Sequence, residues 1–167
     1  HYPLRRQRQM CIRDSYIDIK KASTDPGILK LIARKLAVLI REIEQSRGTR
    51  FDRIAGIELG AVPLAVAASL ELDIPLVIIR KAEKSHGIKK RVVGSLNPSD
   101  KVVLVEDVIT TGRSVLSGVD AIRAAGGHID LVISIVDREE GASMALNEKN
   151  IRLIPLVKAS ELLEHSR

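Results

Sequence analysis

The sequence predicts an α/β domain with a mostly parallel central sheet flanked by helices. Three observations carry this. Short apolar runs such as "PLVIIR", "KVVLVED" and "IDLVISIVD" recur along the chain. They are continuous rather than alternating, which suits strands covered on both faces. Between them lie segments with helical periodicity and helix start and stop residues, so strand and helix alternate.

The elements follow in order. "YIDIKKA" (16–22) alternates weakly and reads as a short edge strand. The next stretch, ending at Gly48, reads as a helix: Asp25 caps, Pro26 suits the first helical position, and the glycine stands just past the end. Ile28, Ile32, Leu36, Leu39, Ile40 and Ile43 form its apolar stripe. "RIAGIE" (53–58) is a strand and "VPLAVAASLEL" (62–72) a helix opened by Pro63. "PLVIIR" (75–80) is the next strand. Residues 81–100 form a polar, cation-rich connection. "KVVLVED" (101–107) is a strand, residues 114–127 a helix ending on two glycines, and "IDLVISIVD" (129–137) a strand. A loop with a short helix follows. "IRLIPLV" (151–157) is the last strand, and "ASELLEHS" closes the chain as a helix.

Composition narrows the function. The chain of 167 residues suits one domain with a proper core. We expect that domain to be 16–167. Residues 1–15, "HYPLRRQRQMCIRDS", read as a lead foreign to the fold or a disordered tail. Half of the net charge of +6 lies in that lead, where Arg5, Arg6, Arg8 and Arg13 face the single acid Asp14. The charge is therefore a poor argument for nucleic acid. Aromatics are only 2%, too few for a base-stacking platform. No nucleic-acid partner is expected. No apolar segment is long enough to span a bilayer, so no membrane partner is expected either. The only cysteine, Cys11, excludes an internal disulfide, and no secretory signal is visible. The expectation is a cytoplasmic protein.

Ligands of parallel sheets bind beyond the carboxyl ends of the strands. Four ends therefore matter: after Ile57, Ile79, Val105 and Val136. "ELGAVPLA" (58–65) is a Gly-containing turn into a helix, which favours anions. Taken alone it is also an ordinary turn. "RKAEKSHGIKKR" (80–91) concentrates Arg80, Lys81, Lys84 and His86 before Gly87. A cationic run is often a solvated face. A long connection between strands is more often a functional lid.

"VVLVEDVITTGRS" is the most specific stretch. It is neither a Walker A loop nor a dinucleotide fingerprint. Thr110, Thr111 and Ser114 offer hydroxyls, and the following helix start offers backbone amides, a combination that can hold a phosphate monoester. Glu106 and Asp107 repel phosphate. They can accept hydrogen bonds from a vicinal diol, offset nearby cations or help place Mg²⁺. Diol beside phosphate describes a ribose 5-phosphate. The competing reading, acids capping a helix, needs only one acid and places it next to the helix. "IVDREEGA" (135–142) ends a strand on Asp137 and Arg138. Arginine is the preferred reader of a carboxylate, although a surface ion pair with Glu139 or Glu140 explains it as well.

These motifs together resemble the type I phosphoribosyltransferases. "VVLVEDVITTGRS" is similar to their signature for 5-phosphoribosyl 1-diphosphate (PRPP). "RKAEKSHG", that signature and then "DREEGA" resemble the orotate phosphoribosyltransferases in particular, and "YIDIKKASTDP" is similar to archaeal-type members. The resemblance covers residues 16–167. It implies the type I phosphoribosyltransferase fold, with a flexible basic loop over the site. It also implies transfer from PRPP to orotate with Mg²⁺, giving orotidine 5′-monophosphate and pyrophosphate.

By the same resemblance, Glu106, Asp107, Val108, Ile109, Thr110, Thr111, Gly112, Arg113 and Ser114 bind PRPP. The two acids hold the ribose hydroxyls, directly or near the metal. Thr110 and Arg138 bind orotate. Arg80, Lys81, Lys84 and His86 meet the diphosphate, with Lys84, His86 and Asp107 as the catalytic residues. The implied partner is a second copy of the chain, in a homodimer that shares the 80–91 loop across subunits. Two departures stand out. "ELGAVPLA" lacks the lysine many members carry there. The family's N-terminal helix and Ser-Gly segment before "YIDIK" are replaced by "QMCIRDS", so relative to the family the chain reads as N-terminally truncated.

Two other functions remain open on sequence. One is a non-enzymatic regulator of the same fold that senses PRPP or a nucleotide. The other is a uracil or purine transferase. The basic loop argues against the first, since a sensor has no leaving group to stabilise. The absence of aromatics after Phe51 argues against a stacked purine.

Overall fold

The computed structural model describes residues 19–81 and 90–164. The described helices are α1 (Ile19–Ala22), α2 (Pro26–Arg47), α3 (Val62–Leu72), α4 (Arg113–Ala124), α5 (Ala142–Asn147) and α6 (Ala159–Glu164). The strands are β1 (Arg53–Ile57), β2 (Leu76–Ile79), β3 (Val92–Val93), β4 (Lys101–Ile109), β5 (His128–Asp137) and β6 (Arg152–Lys158). They form one sheet in the order β3-β2-β1-β4-β5-β6. All pairs are parallel except β2 with β3.

That order explains where a ligand belongs. From β1 the chain builds outward through β2 to β3. It then returns to the other side of β1 and builds outward through β4, β5 and β6. The reversal falls between β1 and β4, and in open parallel sheets the crevice at such a point is the binding site.

Helices cover both faces. On one, Leu104, Val132 and Ile57 of the sheet pack with Val115, Val119 and Ile122 of α4 and Leu146 of α5. On the other, Val103, Val105, Leu131 and Ile133 pack with Leu36 and Ile40 of α2 and Leu64 and Ala68 of α3. Each fully buried aliphatic side chain contributes about 1.5–3 kcal/mol relative to exposure. The two-faced burial is why β4 and β5 read as unbroken apolar runs.

Local signals act as their chemistry requires. The Asp25 carboxylate accepts from the Ile28 backbone N–H at 2.9 Å and caps α2, with Pro26 at its first position. Gly48 ends the helix at φ 62°.

Four expectations are corrected. Residues 19–22 form a helical turn, closed by Ser23 N–H donating to the Ile19 carbonyl at 2.8 Å, and not an edge strand. Buried Ile19 anchors this turn in the core shared by α2 and α3. Ile28 is exposed, whereas Ala33 and Ala37 are buried, because small residues let α2 approach its neighbours. The 81–100 connection contains β3, too short for any periodicity to reveal. Finally, β4 runs on to Ile109, so Glu106 and Asp107 lie within the strand and not where it stops.

Candidate active site

A cleft of about 660 Å³ lies at the carboxyl ends of β1 and β4. Its walls come from three stretches far apart in sequence: Ile57–Gly60 after β1, Glu106–Val115 from β4 into α4, and Ser23 and Thr24 before α2. Pro63 and Lys81 complete it.

The segment from Thr110 to Ser114 turns directly from strand into helix. Gly112 makes the turn at φ 81°, the left-handed region that suits glycine. No side chain caps α4 and no acid stands in its first turn. The first amides of a helix have no intrahelical partner, so this end offers N–H donors and positive dipole to an anion. Thr111, Arg113 and Ser114 are exposed around it, and Thr110 is half-buried.

The two acids diverge, as neighbours on a strand must. Glu106 is buried among the residues beneath α4. Burial, reinforced by Asp107, pushes its carboxyl up to about 9. Its Oε2 has no hydrogen-bond partner. Asp107 faces the opposite side of the strand, towards the turn after β1. Its Oδ1 accepts from the Val108 N–H at 2.8 Å. Its Oδ2 lies so close to Gly60 that a Cβ there would sit 1.9 Å away. The glycine lets the β1 turn and the acid of β4 meet. The Glu58–Leu59 peptide in that turn is cis.

The basic connection is anchored at its base. Glu58 Oε1 accepts from the Lys81 N–H at 2.7 Å, and Arg80 N–H donates to the Arg91 carbonyl at 2.8 Å. Arg91 in turn donates to the Ser117 carbonyl of α4 at 3.0 Å. Lys81 thereby lines the cleft, and its charge reaches Glu106. Arg80 is exposed beside it. Lys84 and His86 lie outside the described residues.

Of the sequence-predicted residues, the structure brings together Lys81 and the whole run from Glu106 to Ser114, including Val108 and Ile109. Arg138 stands apart from the cleft lining. Its backbone N–H donates to the Ile109 carbonyl at 2.9 Å, which keeps it on the same edge of the sheet. Its side chain pairs with Glu140 at 3.4 Å, the ion pair that sequence reasoning left open. Asp137, buried at the end of β5, accepts from the Glu139 N–H at 2.8 Å. Ser23 and Thr24 were not anticipated in the site. Their only sequence signal is a pair of hydroxyls before a proline-started helix, which reads equally as capping. Among the described residues, no three His, Cys, Asp or Glu side chains gather as a cage for a metal ion.

The phosphoribosyl transferase domain family matches residues 24–153. Orotate phosphoribosyltransferase of Methanosarcina mazei is 52% identical over 149 residues, covering 89% of this chain and 76% of that protein. The chain belongs to the orotate phosphoribosyltransferase family. Solved members superpose on it. The enzyme from Aeropyrum pernix matches with a TM-score of 0.80 at 28% identity, over 90% of this chain and 82% of that one. The Mycobacterium tuberculosis enzyme in complex with PRPP matches with a TM-score of 0.71 at 28% identity, over 89% and 83%. Membership explains the type I phosphoribosyltransferase fold and makes the chain a pentosyl-transferring enzyme. No described helix is long and apolar enough to cross a membrane.

Proposed function

We propose that this cleft transfers the phosphoribosyl group of PRPP to orotate, giving orotidine 5′-monophosphate and pyrophosphate, a step of pyrimidine biosynthesis. The observation that carries the reading is the convergence, at the β1–β4 reversal point, of an uncapped helix start with two carboxylates. The first suits a phosphate and the second a ribose diol. The 52% identity to an orotate enzyme supports the choice of base.

In this reading Thr110, Thr111, Gly112, Arg113 and Ser114 cradle the 5-phosphate, while Glu106 and Asp107 accept from the ribose hydroxyls. As the bond from C1 to the diphosphate breaks, its electron pair leaves with pyrophosphate and positive charge builds on the ribose. A ring nitrogen of orotate forms the new bond and gives up its proton. No protein nucleophile is needed. Arg80, Lys81, Lys84 and His86 neutralise the leaving group, and preorganised charge of this kind is commonly the largest contribution to rate. Closure of the basic loop excludes the water that would hydrolyse PRPP. Thr110 and Arg138 serve orotate, Arg138 after exchanging Glu140 for the substrate carboxylate.

Mg²⁺ suits this donor set. It sheds water reluctantly and takes one or two carboxylates together with substrate phosphates rather than a full protein cage. Asp107, against Gly60, and Glu106 would hold it through PRPP and water. When bound, it supplies charge neutralisation on the diphosphate. The working unit is residues 16–167, and the enzyme acts in the cytoplasm as a homodimer sharing the 80–91 loop. The exposed side chains of Ile28, Leu31 and Val38 on α2, with Val66 and Leu70 on α3, support a covering partner.

An orotate-depletion assay on this chain tests the reading. Loss of orotate absorbance is expected only with PRPP and Mg²⁺ both present. Turnover of uracil or hypoxanthine in place of orotate would overturn the choice of base.

A further inference from the structure

Glu106 has a buried neighbour that the transfer reaction does not use. Ser134 sits in the middle of β5 at 0% exposure, in a strand otherwise made of branched aliphatics at its centre. It is in direct register with Glu106 of β4. Leu104 and Val132, the register pair one step earlier on the same face, both pack beneath α4. Side chains two residues on share that face. Glu106 and Ser134 therefore stand side by side under α4, on strands about 4.8 Å apart. On the far side Ser134 faces Pro155 of β6, which offers no donor. Among the described residues, the buried side-chain polar atoms without a hydrogen-bond partner are Glu106 Oε2 and Ser134 Oγ. An unpaired buried hydroxyl costs about 1–3 kcal/mol, and alanine at that position would avoid it. Two unpaired polar atoms adjacent in one register complement each other: one is an acceptor, the other a donor with a freely turning O–H.

We propose that Ser134 is a positioning residue for Glu106. With PRPP bound, its O–H turns to donate to the inner oxygen Oε2, a bond this structure does not hold. That fixes the outer oxygen Oε1, which accepts from the Asp107 N–H at 3.2 Å, beside the ribose. The proposal rests on the PRPP reading of the cleft. Ser134 touches no substrate and acts only through Glu106.

The test compares Ser134→Ala, Ser134→Thr, Glu106→Ala and the double variant Ser134→Ala/Glu106→Ala in the full chain. PRPP binding with Mg²⁺ is measured by titration calorimetry, beside kcat/KM for PRPP and the thermal midpoint. Ser134→Ala is expected to weaken PRPP by up to about ten-fold, the scale of losing one buried hydrogen bond. The midpoint of the empty protein should not fall, because there the hydroxyl that is removed has no partner. Ser134→Thr, which keeps the donor and suits a strand, should recover most of the binding. In the Glu106→Ala background, where no side-chain acceptor remains for the hydroxyl, Ser134→Ala should change nothing further. Wild-type affinity in Ser134→Ala, or the same loss with and without Glu106, would overturn the role. A wild-type chain that binds no PRPP would overturn the reading of the cleft itself, which separates the two failures.

Discussion

The two sides of the cleft are built in opposite ways. One side, Glu106 to Ser114, is part of the sheet and the first turn of a helix. Its backbone is fixed by ladder bonds to β5 and by the core beneath α4. The other side is the basic connection between β2 and β3, whose described ends are held through Glu58, Arg80 and Arg91. The first holds its oxygens and amides on the sheet and the helix start, the kind of rigid element that recognition of a diol and a phosphate demands. The second carries charge on long side chains, which suits a leaving group that must be enclosed and then released. On the proposed function the two sides divide the labour: the rigid side binds PRPP, and the loop accelerates its cleavage.

Replacing the loop's charge should give the largest effect. Lys84→Ala is expected to lower kcat by about 10²–10³-fold, the scale of losing a preorganised charge at a developing anion. Its KM for orotate should change little. Steady-state kinetics checks this, and an unchanged kcat would remove the loop from the chemistry.

Damage to the rigid side should appear as lost binding. Gly60→Ala sets a Cβ against Asp107, whose other oxygen is held by the Val108 N–H. Either the acid or the β1 turn must move. We expect PRPP affinity to fall by about ten- to a hundred-fold, the scale of misplacing a binding group by an ångström. The thermal midpoint should drop only slightly, since the contact is at the rim of the core.

The smallest effect concerns the stability of the empty protein. The Glu106 carboxyl is raised from 4.5 to about 9 by burial. A raised carboxyl favours folding fully below its unfolded value, and that contribution is lost as pH rises towards 9. Glu106→Gln removes the ionisation. Its midpoint should exceed wild type by roughly a few degrees at pH 8, with the gap closing as pH falls towards 4.5. A gap independent of pH would contradict the burial argument. The same variant should bind PRPP less well, so stability and function move in opposite directions at one residue.

Much of this was legible in the sequence, for definable reasons. Apolar runs gave the strands because burial on both faces requires them. Asp25, Pro26 and Gly48 marked α2 because capping is local chemistry. The turn proposed as a phosphate cradle was legible because strand, turn and helix are contiguous in "VEDVITTGRS". What stayed hidden depends on contacts between distant segments. The meeting of Gly60 with Asp107 needs β1 and β4 to be neighbours. Ser23 and Thr24 enter the cleft only because a helical turn at Ile19 carries them there. Ser134 is one polar residue inside the strand "IDLVISIVD" until its register with Glu106 is known. Arg138 shows the reverse problem. Its sequence allowed both a substrate contact and an ion pair, and the structure holds the pair with Glu140.

The division of labour is tested most directly by titrating PRPP and Mg²⁺ into Lys84→Ala and Gly60→Ala side by side, with single-turnover rates on the same preparations. The account predicts that Lys84→Ala binds PRPP within a few-fold of wild type yet turns over far more slowly. Gly60→Ala should lose affinity but retain much of its rate once saturated. The opposite pattern, binding lost with Lys84 and turnover lost with Gly60, would contradict it.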